Sequence, residues 1–106
     1  MRLLNANLGS GQTSNVIEVE GTHSKDIAIL FRGTFNGEAY TVQLAPRAAD
    51  DFEDLTVDQD AGPLQFTDAR LQQLHITGAC RLRFVGDGGG TPSGVSIFID
   101  GNGVDL

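Results

Sequence analysis

The stretch Ile27–Leu44, IAILFRGTFNGEAYTVQL, constrains the fold more than any other part of the chain. It reads as two apolar β-runs joined at Asn36-Gly37. Both residues of that pair tolerate positive φ, as a type I′ turn requires, so the segment is expected to form a hairpin. On the second run Tyr40, Val42 and Leu44 alternate with Thr41 and Gln43, which buries one face and wets the other. The first run, Ile27–Phe31, is apolar on both faces and is expected to lie centrally in a sheet.

The rest of the chain repeats this pattern. Val16–Glu20 alternates, with Ile17 and Val19 on one face and Glu18 and Glu20 on the other. A turn at Gly21–Ser24 follows, and Pro46 closes the second central run because proline cannot donate to a ladder. Ala48–Leu55 fits a helical turn through Phe52 and Leu55, or a strand end through Leu55 and Val57; a turn and then a strand near Leu55–Val57 are expected. Asp58–Pro63 reads as a turn and Leu64–Thr67 as a short strand. Thr67 or Asp68 offers an N-cap, but the run to Gln73 is short for a helix. Leu74–Thr77 alternates again, and Gly78 breaks it or marks a bulge. Cys80–Val85 is a strand with Cys80, Leu82 and Phe84 inward and Arg81 and Arg83 outward. A glycine-rich hairpin loop, Gly86–Gly94, leads to a last strand with Val95, Ile97 and Ile99 inward and Ser96 and Phe98 outward. Gly101–Leu106 is a tail.

With 106 residues and 14 glycines, the pattern specifies a single all-β domain, an antiparallel β-sandwich of about seven to eight strands spanning residues 16–106. A domain of this size buries roughly 65% of its unfolded surface and needs no staples. Residues 1–15 are polar and carry Gly9-Ser10-Gly11. Alone they read as a flexible N-terminal arm, ordered where a neighbour or a docked position holds them.

Charge and composition narrow the function classes. The formal charge is −7 and Lys25 is the one lysine, so phosphate backbones and anionic membrane surfaces are poor partners. The first residues lack an apolar signal core and no run approaches the roughly 18 residues of a membrane span. The chain is expected to be made in a cytoplasm and to remain soluble. Cys80 stands alone, so no internal disulfide and no zinc spacing arise, and a small buried apolar role suits it.

No stretch carries an enzyme signature. Gly86-Asp87-Gly88-Gly89-Gly90 lacks the lysine and helix of a phosphate loop. The acidic run Asp50, Asp51, Glu53, Asp54, Asp58 and Asp60, like Asp100-Gly-Asn102, misses the calcium-loop template and reads as solvated. His23 and His75 lie far apart, and no Gly-x-Ser-x-Gly elbow is present. With no Trp and one Tyr, aromatic platforms for sugar rings are few. No catalytic, cofactor-binding or metal-binding residue is assigned.

The informative mismatch is on the outer strand faces. Arg32, Arg81 and Arg83 point away from the expected core of an acidic protein, and Leu30 and Phe98 fall on outer faces too. Arg and aromatic residues on a sheet face are enriched at interfaces; a loop of the same chain laid over them accounts for them equally well.

Three pieces in order, Gly33-Thr-Phe-Asn-Gly37 with Thr41-Val-Gln-Leu44, then Gly78-Ala-Cys-Arg-Leu-Arg83, then Thr91-Pro-Ser-Gly-Val-Ser-Ile97, resemble small β-sandwich virion proteins of tailed bacteriophages. The resemblance covers about Ile27–Ile99. It implies a structural, non-enzymatic role in the particle, most simply a capsid decoration or cement protein that oligomerises and binds the major capsid protein or another virion protein. The protein would be made in the host cytoplasm and reside in the virion. An acidic chain suits the outside of the head better than the DNA-filled lumen. The arm, with Leu3, Leu4 and Leu8, would tie a subunit to its neighbour. The candidate interface residues are then Leu3, Leu4, Leu8, Leu30, Arg32, Arg81, Arg83 and Phe98. A tail or fibre module that recognises a host glycan through the Gly86–Gly94 loop is the rival expectation.

Overall fold

The computed structural model describes residues 1–21, 24–46, 51–56, 62–101 and 104–105. They form ten strands and, among the described residues, no helix: β1 (Arg2–Asn5), β2 (Ile17–Val19), β3 (Ser24–Thr34), β4 (Tyr40–Pro46), β5 (Glu53–Asp54), β6 (Gln65–Phe66), β7 (Arg70–Thr77), β8 (Cys80–Gly86), β9 (Ser93–Gly101) and β10 (Val104–Asp105). Two antiparallel sheets pack as a sandwich. One has the order β1-β9-β3-β7; the other runs β10-β2-β8-β4-β5, with β6 also paired to β4.

The alternation read in the sequence sets the faces. Ile27, Ile29 and Phe31 of β3, Val95, Ile97 and Ile99 of β9, and Leu82 and Phe84 of β8 are almost wholly buried. As the two-faced apolar run implies, β3 lies inside its sheet, between β9 and β7. At one end of the core Phe31 stacks on Phe66 with centroids 4.3 Å apart and meets Phe84 edge-on at 5.4 Å. Such pairs add specificity beyond the area they bury. Cys80 is half-buried against this core.

The Asn36-Gly37 turn forms, but not the hairpin. Asn36 and Gly37 have φ of 50° and 90°, and the Glu38 amide donates to the Phe35 carbonyl at 3.1 Å. Yet β3 and β4 lie in opposite sheets. The chain bends before the turn at Gly33, whose φ is 111° and where a Cβ would overlap the Gly94 carbonyl. Phe35 and Ala39, which flank the turn, are buried between the sheets. A turn whose flanks face the core arches from one sheet to the other. The Gly86–Gly94 loop is likewise no hairpin: it carries the chain from β8 across to β9 in the other sheet.

Residues 1–15 are docked on the sandwich. β1 pairs with β9, with a register shift between Leu3 and Asn5. The Leu8 amide donates to the Val95 carbonyl, Thr13 bridges Val85, and the Gly86 amide donates to the Gln12 carbonyl. Leu4 and Leu8 are buried in the core. The segment therefore supplies an edge strand and a lid to the same pair of sheets, held in a docked position on its own domain.

Smaller shifts also have causes. β5 forms at Glu53–Asp54 rather than Leu55–Val57, because Gln43 and Leu44 of β4 pair there; Val57 lies outside the described residues, as do the acidic positions 50, 58 and 60, and His23. β7 extends back to Arg70 along an unbroken ladder with β3, so no helix starts at Thr67. The tail contributes β10, paired with β2.

Candidate functional site

The outer face of the four-stranded sheet carries a row of apolar side chains from edge to edge. Leu3 pairs with Phe98, Phe98 with Leu30, and Leu30 with Leu71. Four strands at the usual spacing make the row about 14 Å long. Leu3 and Leu71 are 52% and 59% exposed, and Leu30 and Phe98 between them are half-buried. Single exposed leucines are ordinary, but a contiguous row is not.

Charge divides along this face. Arg32, exposed and paired with Ser96, stands two residues from Leu30 at one end of β3. Towards the other end lie Asp100, paired with Ala28, and then Asp26, whose carboxylate meets His75 Nδ1 at 2.9 Å. The apolar row is thus bounded by a cation on one side and carboxylates on the other.

The opposite outer face is different. Arg81 meets Glu18 at 3.2 Å. The Arg83 guanidinium lies 4.1 Å from the Phe52 ring centroid and its Nε donates to Gln43 Oε1 at 2.8 Å. Gln43 in turn donates to Asp54 at 2.9 Å. Phe52 also lies 5.9 Å from the Arg81 guanidinium. The chain's own Phe52 segment thus covers both arginines.

A third feature is a knot of loops at one end of the sandwich. Glu38, 1% exposed, accepts hydrogen bonds from the amides of Gly11 (2.7 Å), Gly88 (3.1 Å) and Gly90 (2.9 Å). Its carboxylate joins the N-terminal segment, the Asn36-Gly37 turn and the glycine-rich loop. Asp87 accepts from the amides of Gly89 and Ala39, and these bonds, Gly89 first, hold its carboxyl below the usual range. Asn36 Nδ2 donates to the Thr91 carbonyl at 2.9 Å. The glycine-rich loop is tethered at several points along its length. Tyr40, beside the knot, donates its hydroxyl to the Leu8 carbonyl at 2.9 Å.

Of the eight residues singled out in the sequence, Leu3, Leu30, Arg32 and Phe98 come together on one face. Leu4 and Leu8 are spent on the core, and Arg81 and Arg83 are engaged on the far sheet. Leu71 was missed. Its signal was parity: it is out of phase with Leu74 and Ile76, which face the core, so on a strand it must point outward. Among the described residues no group of three or more His, Cys, Asp or Glu side chains is placed to hold a metal ion. Comparison with protein-family models, with curated proteins and with solved structures found no match.

Proposed function

We propose that this chain is a non-enzymatic structural protein of a tailed-bacteriophage virion, a decoration protein that self-associates and binds the outer capsid surface through the outer face of its four-stranded sheet. The observation that carries the reading is the apolar row Leu3–Phe98–Leu30–Leu71 with Arg32 beside it. An apolar centre with an arginine at its margin is the composition of protein interfaces rather than of free surface. The resemblance of the Ile27–Ile99 region to small phage β-sandwich proteins supports the setting, and the charge of −7 favours the outside of a DNA-filled shell. Self-association would multiply a modest contact into durable binding.

The test is co-sedimentation of the purified protein with undecorated capsids. Saturable binding at a stoichiometry that follows the shell symmetry is expected, lost in Leu71→Lys and in Leu3→Asp. Absence of binding by the wild-type protein overturns the reading, and equal binding by both variants removes the face from it.

A further inference from the structure

We propose that β7 is a self-association edge: it pairs antiparallel with β7 of a second copy about a two-fold axis near Gln73, joining two four-stranded sheets into one of eight strands.

An edge strand exposes a row of unpaired backbone donors and acceptors, and soluble proteins blunt such edges by shortness, bulges, lysine, proline or inward charges. Among the described residues, three of the four sheet edges are blunted. β5 and β10 have two residues each. β1 has four and a register shift. β7 is the exception. It has eight residues, RLQQLHIT, and its ladder with β3 runs without a break from Ser24–Thr77 to Phe31–Arg70. It contains no lysine, proline or acidic residue. Among the described residues no strand pairs with its far side.

Charge and symmetry select a second copy as the occupant. Two chains of charge −7 repel, and they do so least along a strand with no carboxylate. Antiparallel order sends the two Arg70 side chains to opposite ends of the pair. Residues of one face must meet residues of the same face, so an axis at Gln73 sets Gln73 against Gln73 and Leu71 against His75 of the second copy, and no like charges are forced together. The two-fold axis stands perpendicular to the sheet, so both apolar rows remain on one face. The free edges of the dimer are then the two short, irregular β1 strands, and assembly closes at two copies instead of growing into a fibre. This contact supplies the self-association that the proposed function includes, but it stands on the edge alone and not on the virion setting.

The experiment is a concentration series of the free protein by sedimentation equilibrium, with amide hydrogen exchange followed in β7. A monomer–dimer equilibrium is expected, with half the β7 amides gaining protection as dimer forms. Gln73→Lys and Gln73→Glu should each weaken the dimer several-fold, and an equimolar mixture of the two should restore it as a heterodimer. A wild-type protein that stays monomeric up to millimolar concentration overturns the proposal, as does a dimer whose β7 amides exchange as in the monomer, or one unmoved by both variants. A dimer that ignores capsids leaves the edge pairing intact and counts against the virion reading; a monomer that binds capsids does the reverse.

Discussion

The amide of Gly11 donates to Glu38 Oε2 at 2.7 Å across 27 residues of chain. That bond fastens the N-terminal segment to the arch between β3 and β4, and the amides of Gly88 and Gly90 fasten the next arch to the same carboxylate. Charge-assisted bonds of this kind are the strong ones. Glu38→Gln keeps one carbonyl oxygen but turns an NH2 group towards amides that need an acceptor. It should cost about 1–3 kcal/mol, and Glu38→Ala at least as much. Urea unfolding of the three proteins measures this, and an unchanged midpoint in Glu38→Ala would show the knot to be idle.

The same arches predict a contrast between two glycines. A Cβ on Gly90 would overlap the Glu38 amide, the Gly37 carbonyl carbon and the Asn36 oxygen, all backbone. Gly94 has φ of 65° but open space around its Cβ position. Gly94→Ala should therefore cost only the left-handed strain, about 1–2 kcal/mol. Gly90→Ala must move two arches and should exceed about 3 kcal/mol or fail to fold. Thermal unfolding separates them; similar melting temperatures would contradict the close approach.

These arches also show where the sequence stops being readable. Face assignment was legible, because burial follows parity: Ile27, Ile29, Leu82, Phe84, Val95, Ile97 and Ile99 all lie inside. Pairing was not. Asn36-Gly37 reports φ values and nothing about which sheet the next strand joins; that is decided by Gly33, Phe35 and Ala39, whose role depends on contacts with distant β9 and the opposite sheet. The candidate face was half legible for the same reason. Leu30, Arg32 and Phe98 could be placed by counting along strands, whereas Leu4 and Leu8 look no different from Leu3 until β1 is paired with β9.

Parity gives a sharper test on β7. Leu71 is exposed and Leu74 is 5% exposed, three residues apart on one strand. Leu71→Ala should change stability by no more than about 0.5 kcal/mol. Leu74→Ala should cost about 2–5 kcal/mol, through lost burial and the cavity left behind. On a helix, residues three apart would share a face and respond alike. Denaturant titration of the two variants decides, and equal costs would contradict the strand.

Tyr40 links the core to alkaline pH. Burial, then the nearby charges of Glu38 and Asp87, push its phenol from the ordinary 10.0 up to about 12. The folded state holds the phenolic proton more tightly than the unfolded state. Its contribution to stability is therefore fully present below pH 10 and is lost as pH rises from 10 through 12, at up to about 1.4 kcal/mol per pH unit. Tyr40→Phe removes this dependence. At neutral pH the same variant forfeits the bond to the Leu8 carbonyl and should be less stable by about 1 kcal/mol. The two unfolding curves should thus converge and cross as pH rises, with Cys80 and the basic groups cancelling in the difference. Tyr40 is the sole tyrosine and there is no tryptophan, so phenolate absorbance follows the same group directly. A stability difference that stays constant from pH 9 to pH 12, on the order of the span expected from the raised value, would mean that Tyr40 is not held neutral by the fold.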